Sequence, residues 1–146
     1  ASYRGMLVMT GIDPEAANNN PHVVVSSDGK AAVWAGVIDD LWKMGKPVGE
    51  GGPWKNTGIN AGEPSDPYLI GFYDKRSLSL SHNSEKIITF TLEAEPVGHG
   101  PWMKYKTFTV KPGETVQFVF PDTFQSRWIR FSADKGCSAT AWLKYR

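Results

Sequence analysis

Ser77-Leu78-Ser79-Leu80-Ser81 alternates strictly, leucine against serine. Successive side chains of an extended chain point to opposite faces, so this run encodes a strand with one apolar and one polar face. The pattern recurs through the second half of the chain. Residues 86–94 place Ile88, Phe90, Leu92 and Ala94 on one face, and residues 105–110 are rich in aromatic and β-branched side chains. Lys111-Pro112-Gly113-Glu114 reads as a turn, because proline presets φ and glycine accepts positive φ. Residues 115–120 alternate again with Val116, Phe118 and Phe120 inward, and residues 127–133 and 139–145 complete the series. Short strands at this spacing, separated by turn signals, predict an all-β fold. The expected form is an antiparallel, jelly-roll-like β-sandwich of about 8–10 strands with little helix.

The first half is less regular. Strands are expected over 3–10, 22–26 and 31–38, the last two joined by the Ser27-Asp28-Gly29-Lys30 hairpin turn. Residues 38–44 could form at most two helical turns before Gly45. Residues 39–67 form a long stretch punctuated by glycine and proline, read as a loop, and residues 68–73 as a short returning strand. With 146 residues, the chain is read as a single domain over 1–146. A net charge of +1 argues against a nucleic-acid partner. No apolar run approaches the ~20 residues that span a bilayer, so no membrane partner is expected. No leader stands at the N-terminus, as in a mature or excised domain. The lone Cys137 forms no internal disulfide and reads as a small buried hydrophobe.

Two aromatic groups are candidate binding residues. Trp42, Trp54 and Trp102 lie in or beside glycine- and proline-rich segments, with Tyr68, Tyr73 or Tyr105 as neighbours. Flat rings held on loops suit the C–H face of a sugar, whose hydroxyl rim takes polar contacts. The structural alternative is that these rings cover the ends of the sandwich core. On the last strands, inward Ile129, Phe131 and Ala133 imply outward Trp128, Arg130 and Ser132; inward Ala139, Ala141 and Leu143 imply outward Thr140, Trp142 and Lys144. If the two strands pair, Trp128, Arg130, Trp142 and Lys144 share one face suited to an acidic or sulfated sugar. The alternative is a covered face on which Arg130 merely stacks on a tryptophan.

The carboxylates Asp39, Asp40, Glu50, Glu63, Asp66 and Asp74, with the Asp13, Asn18 and Asn20 group, are oxygen donors of the kind Ca2+ takes. No calcium-loop motif organises them, and turn and cap roles are the favoured reading. A paired set such as Asp39 and Asp66 could serve a small glycan-cleaving enzyme. His22, His82 and His99 show no zinc spacing, and the chain holds no nucleophile elbow, phosphate loop or dinucleotide fingerprint.

From about Ser65 to Tyr145, with its alternating strands, Pro112-Gly113 turn and Trp128-Ile129-Arg130 strand, the chain resembles the β-sandwich accessory domains of secreted bacterial polysaccharide-degrading enzymes. Residues 31–53, including Val33-Trp34-Ala35-Gly36-Val37-Ile38-Asp39-Asp40-Leu41-Trp42, resemble the closing strand of a β-propeller-type enzyme running into such a domain. The resemblance implies a secreted, monomeric, non-catalytic carbohydrate-binding module tethered to a catalytic domain. Its partner would be a polysaccharide or oligosaccharide; its cofactor none, or Ca2+. The sequence leaves two rivals: the small enzyme, and a lectin-like, pore-forming or structural protein-interaction domain.

Overall fold

The computed structural model describes residues 2–3, 5–15 and 20–146. The chain divides into two compact units, residues 1–45 and 46–146.

The first unit carries β1 (Ser2–Tyr3), β2 (Met6–Ile12), β3 (Val23–Val25) and β4 (Ala32–Gly36), in an antiparallel sheet of order β1-β2-β4-β3. The Asp-Gly hairpin forms as read. Gly29 takes φ +70°, its N–H donates to the Ser26 carbonyl, and Asp28 accepts from the Ser26 hydroxyl at 2.6 Å. Trp34 is fully buried and lies against His22 with ring centres 5.1 Å apart and planes tilted by 33°; His22 Nδ1 lies 3.1 Å from the Ala35 carbonyl oxygen. Residues Ile38–Met44 wind into a 3-10 helix. Asp40 secures its start by accepting the Val37 N–H at 3.0 Å, and Lys43 pairs with the same carboxylate.

The second unit is a sandwich of eight strands: β5 (Gly49–Ile59), β6 (Tyr68–Leu69), β7 (Arg76–His82), β8 (Ile88–Glu95), β9 (Met103–Val110), β10 (Thr115–Val119), β11 (Trp128–Ala133) and β12 (Cys137–Tyr145). One sheet has the order β10-β7-β12-β5 and the other β6-β11-β8-β9. Only β8 and β9 are neighbours both in sequence and in a sheet; elsewhere the chain crosses from one sheet to the other. Every strand pairing is antiparallel. This is the topology of a jelly roll. Leu78, Leu80, Ala141 and Leu143 from the first sheet meet Ile88, Phe90, Leu92, Ile129 and Phe131 from the second. The inward and outward assignments on β7, β8, β11 and β12 hold residue by residue.

The long loop expected over 39–67 is corrected. Residues Gly49–Ile59 form a strand, and the segment after it is tied to β11 by Gly62 N–H to Ala133 O and Ser65 N–H to Phe131 O, both 2.7 Å. Pro53 is tolerated because β5 is an edge strand with irregular register against β12. The glycines serve close approach. A Cβ on Gly52 would stand 1.9 Å from the Ala141 carbonyl oxygen, and one on Gly51 2.1 Å from the Tyr68 hydroxyl. The Gly-Pro punctuation that argues for a loop therefore marks a bulged edge strand pressed against its neighbours.

Gly52→Ala is expected to destabilise the fold by about 1–3 kcal/mol, because backbone rather than a flexible side chain must yield. Gly58 lies on the same strand with open space at its Cβ position. Gly58→Ala is expected to be neutral or stabilising by roughly 0.5–1 kcal/mol. Chemical denaturation of both variants checks this; equal effects would refute the close-approach account.

Candidate functional site

The three loop tryptophans do not form one platform. Trp54 is only 5% exposed and packs in the core against Phe131 at 6.0 Å and Phe90 at 6.3 Å, so it lacks the exposed stacking face expected of it. Trp42 is 84% exposed on the 3-10 helix of the first unit. Trp102 precedes β9 in the second unit and is partly covered by Arg130, whose guanidinium carbon lies 4.5 Å from its ring centre. Tyr73 stacks on Tyr145 at 4.2 Å, and Tyr105 meets Phe124 edge-on at 4.6 Å.

The expected shared face of Trp128, Arg130, Trp142 and Lys144 is also corrected. Strands β11 and β12 do not pair: β11 lies between β6 and β8, and β12 between β7 and β5. Their outward side chains occupy opposite faces of the sandwich.

On the β11 face, Arg130 stands in register with Glu93, and its Nε donates to the Glu93 carboxylate at 2.6 Å. Its charge is matched there and its guanidinium lies over Trp102. Trp128 is half-buried two residues further along β11, in register with Leu69 and Glu95. Glu95 is 2% exposed and gathers the loop before Trp102. Its carboxylate accepts the N–H groups of Val97 at 3.0 Å, Gly98 at 2.5 Å and Gly100 at 2.8 Å. Burial pushes this carboxyl upward. The N–H donors of Gly100, Val97, Gly98 and His99 outweigh that and hold it below the usual carboxylate range.

On the β12 face, Trp142, Ser79 and Gln117 stand in register across β12, β7 and β10. Lys144 and Ser77 form the adjacent row with Val119, and Thr140 and Ser81 the row with Thr115. Serine is small, so the middle strand leaves a trough between larger walls. The resulting cleft, about 330 Å³, is lined by Ser77, Ser79, Gln117, Thr140, Trp142 and Lys144. Gln117 Nε2 donates to Ser79 Oγ at 2.9 Å, which fixes the amide and turns its carbonyl oxygen elsewhere. Lys55 reaches in from β5, on the opposite side of β12 from the cleft's other strands, and sets its ammonium 4.7 Å from the Trp142 ring centre. Thr140 holds that edge through Asn56, accepting its N–H at 2.9 Å and donating to its Oδ1 at 3.1 Å. Asn56 sits at φ +51°, a conformation asparagine tolerates better than most residues.

Of the residues singled out from sequence, Trp142 and Lys144 come together here. Ser77, Ser79 and Gln117 are not legible as wall and floor from the sequence, although the serine alternation that makes the trough is plain there. The carboxylates that are engaged serve turns, caps and surface ion pairs. Asp13 accepts the Glu15 N–H, Glu63 accepts from Asn60, and Asp74 pairs with Lys46. Asn18 lies outside the described residues. Asp39 belongs to the first unit and Asp66 to the second. Among the described residues no three His, Cys, Asp or Glu side chains converge as metal donors. His82 is buried, accepting the Ser84 N–H at Nδ1 and facing the Val110 carbonyl with Nε2 at 3.0 Å, whereas His99 is exposed. Burial, then Asp134, pushes the Cys137 thiol above its ordinary value, which disfavours a reactive thiolate.

Comparison with protein-family models finds none that matches this chain, and comparison with curated proteins finds no match.

The Glu95 geometry fixes an acid dependence. A carboxyl whose folded value lies below its unfolded one stabilises fully above the unfolded value, and the contribution is lost as pH falls through the folded one. Between pH 5 and pH 3, roughly the carboxylate range, the wild type is expected to lose more stability than Glu95→Gln. Denaturation midpoints of both proteins across that window provide the check. Parallel curves would show that Glu95 is not held as described.

Proposed function

We propose that the second unit is a non-catalytic carbohydrate-binding module whose site is the cleft on the β12 face. The observation that carries this reading is the three-strand row Trp142–Ser79–Gln117. It sets a half-buried indole beside a polar trough open to solvent. A pyranose offers an apolar C–H face to such a ring. Its hydroxyls exchange hydrogen bonds with Gln117 and the serine hydroxyls, each able to donate or accept. Ser77 and Ser79 stand on β7, paired on both sides, and Gln117 on the edge strand β10 is held by its bond to Ser79, so little ordering is needed on binding. The site is shallow, which fits weak binding to a repeating polymer, strengthened when the module is tethered to another domain. Secretion and attachment to a polysaccharide-degrading enzyme belong to the same reading.

Affinity electrophoresis against a panel of neutral and acidic polysaccharides, run with and without calcium, tests it. Retention without degradation is the expected result. Trp142→Ala is expected to weaken retention at least about tenfold, the loss of roughly 1.4 kcal/mol, with an unchanged circular dichroism spectrum. Trp102→Ala, on the opposite face, is expected to leave retention unaltered. Degradation of a polymer would favour the enzyme instead. Failure of every polymer to retard the wild type would sink the proposal.

A further inference from the structure

The β12-face cleft continues past Lys144 and Ser77 into a smaller recess of about 120 Å³, lined by Lys75, Arg76, Ser77, Val119, Lys144 and Arg146. Four of these six residues are cationic and none is acidic. Lys75 and Arg146 are held side by side, since each donates its N–H to the other's carbonyl, at 2.7 and 2.9 Å. Like charges directly opposite on a sheet repel. None of the four cations makes an ion pair among the described residues. Glu50 stands across from Lys144 on β5, yet forms no ion pair with it.

Arg76 borders the recess at the end of β7, but its side chain follows the inward parity of Leu78 and Leu80, toward Phe124 rather than the outer face. It is only 5% exposed, its Nε has no hydrogen-bond partner, and its guanidinium carbon stands 5.8 Å from the Phe124 ring centre. On its other side Arg76 borders a cleft that also includes Asp122 and Asp74. Asp74 is taken by Lys46, and Asp122 makes no ion pair with Arg76. The cations that face the recess are the exposed Lys75, Lys144 and Arg146, which alternate with inward Arg76 and Tyr145 and so stand on the outer face.

We infer that this recess is an anion subsite contiguous with the Trp142 cleft, so that the glycan is an acidic one carrying a carboxylate or sulfate. The inference rests on the carbohydrate reading for the sugar, but the anion site can be tested apart from it. The ring stacks at Trp142, and the charged substituent of the same or the next residue reaches the Lys75–Arg146 end. Carboxylate and sulfate are both oxyanions that the guanidinium and ammonium donors can hold.

The first measurement uses inorganic sulfate against chloride at matched ionic strength, following thermal unfolding of the 146-residue chain. Sulfate stabilises proteins generally, so the comparison is between the wild type and the exposed-residue variant K75Q/K144Q. The wild type is expected to gain about 3 °C more than the variant. Lys104→Gln, on an exposed β9 position of the other sheet, is expected to behave as the wild type. Equal gains in wild type and K75Q/K144Q would overturn the anion site.

The second measurement is calorimetric titration with oligogalacturonate and its methyl ester, and with a sulfated glucan and its unsulfated parent. At least one charged form is expected to bind about tenfold more tightly than its neutral counterpart, as charge-assisted hydrogen bonds allow. K75Q/K144Q is expected to erase that preference; preference for only one anion identifies the substituent. Charged and neutral forms bound alike would overturn the inference and leave the Trp142 site standing. A sulfate effect confined to the wild type, with no glycan bound, would uphold the anion site and defeat the carbohydrate reading.

Discussion

Burial of one face of every sandwich strand is the constraint on which the second unit depends. Leu78 and Leu80 on β7, Ala141 and Leu143 on β12, and Phe90 and Phe131 across the core are withdrawn from water together. Burying such side chains contributes roughly 1.5–3 kcal/mol each. The period of two that sends them inward sends Ser77, Ser79 and Ser81 outward with equal strictness. The trough beside Trp142 is therefore the outer half of the pattern that builds the core. Because β7 and β12 are paired on both edges, the outward side chains stand on a backbone that cannot slip register without exposing the leucines.

What the sequence reveals and what it hides divide along the same line. Alternation is local, so the facing of Trp128, Arg130, Trp142 and Lys144 is legible strand by strand. Sheet membership is not local. In a jelly roll, consecutive strands mostly belong to different sheets, and nothing within 128–133 or 137–145 says that β11 pairs with β8 while β12 pairs with β7. Hence four outward residues read as one patch divide into two. Trp54 misleads for a related reason. Its glycine and proline neighbours signal a loop. Those glycines instead let the β5 edge press onto Ala141 and Tyr68, and so carry Trp54 to Phe131. Gln117 looks like an ordinary strand residue until two other strands place Ser79 and Trp142 beside it.

The two outer faces solve their electrostatics differently, and that contrast bears on function. On the β11 face Arg130 has its carboxylate at 2.6 Å and its aromatic stack at 4.5 Å, which leaves little for a ligand to improve. On the β12 face the cations Lys75, Lys144 and Arg146 are exposed, so water screens them and their mutual repulsion costs little at ordinary salt.

Arg76 does not share that screening. At the end of β7 its side chain follows the inward parity of Leu78 and Leu80, so the guanidinium lies over Phe124 rather than in bulk water. A ring at 5.8 Å returns only part of what desolvation removes, since cation–π contacts are worth about 0.5–2 kcal/mol. An internal carboxylate would be the stabilising solution, and the opposite sheet adopts it with Glu93 and Arg130. Ser77 and Val119 point outward, so an acid at either would meet Lys75, Lys144 and Arg146 rather than Arg76. Arg76 and the three exposed cations are therefore separate electrostatic problems, one set by the core-facing parity of β7 and the other by its outer face.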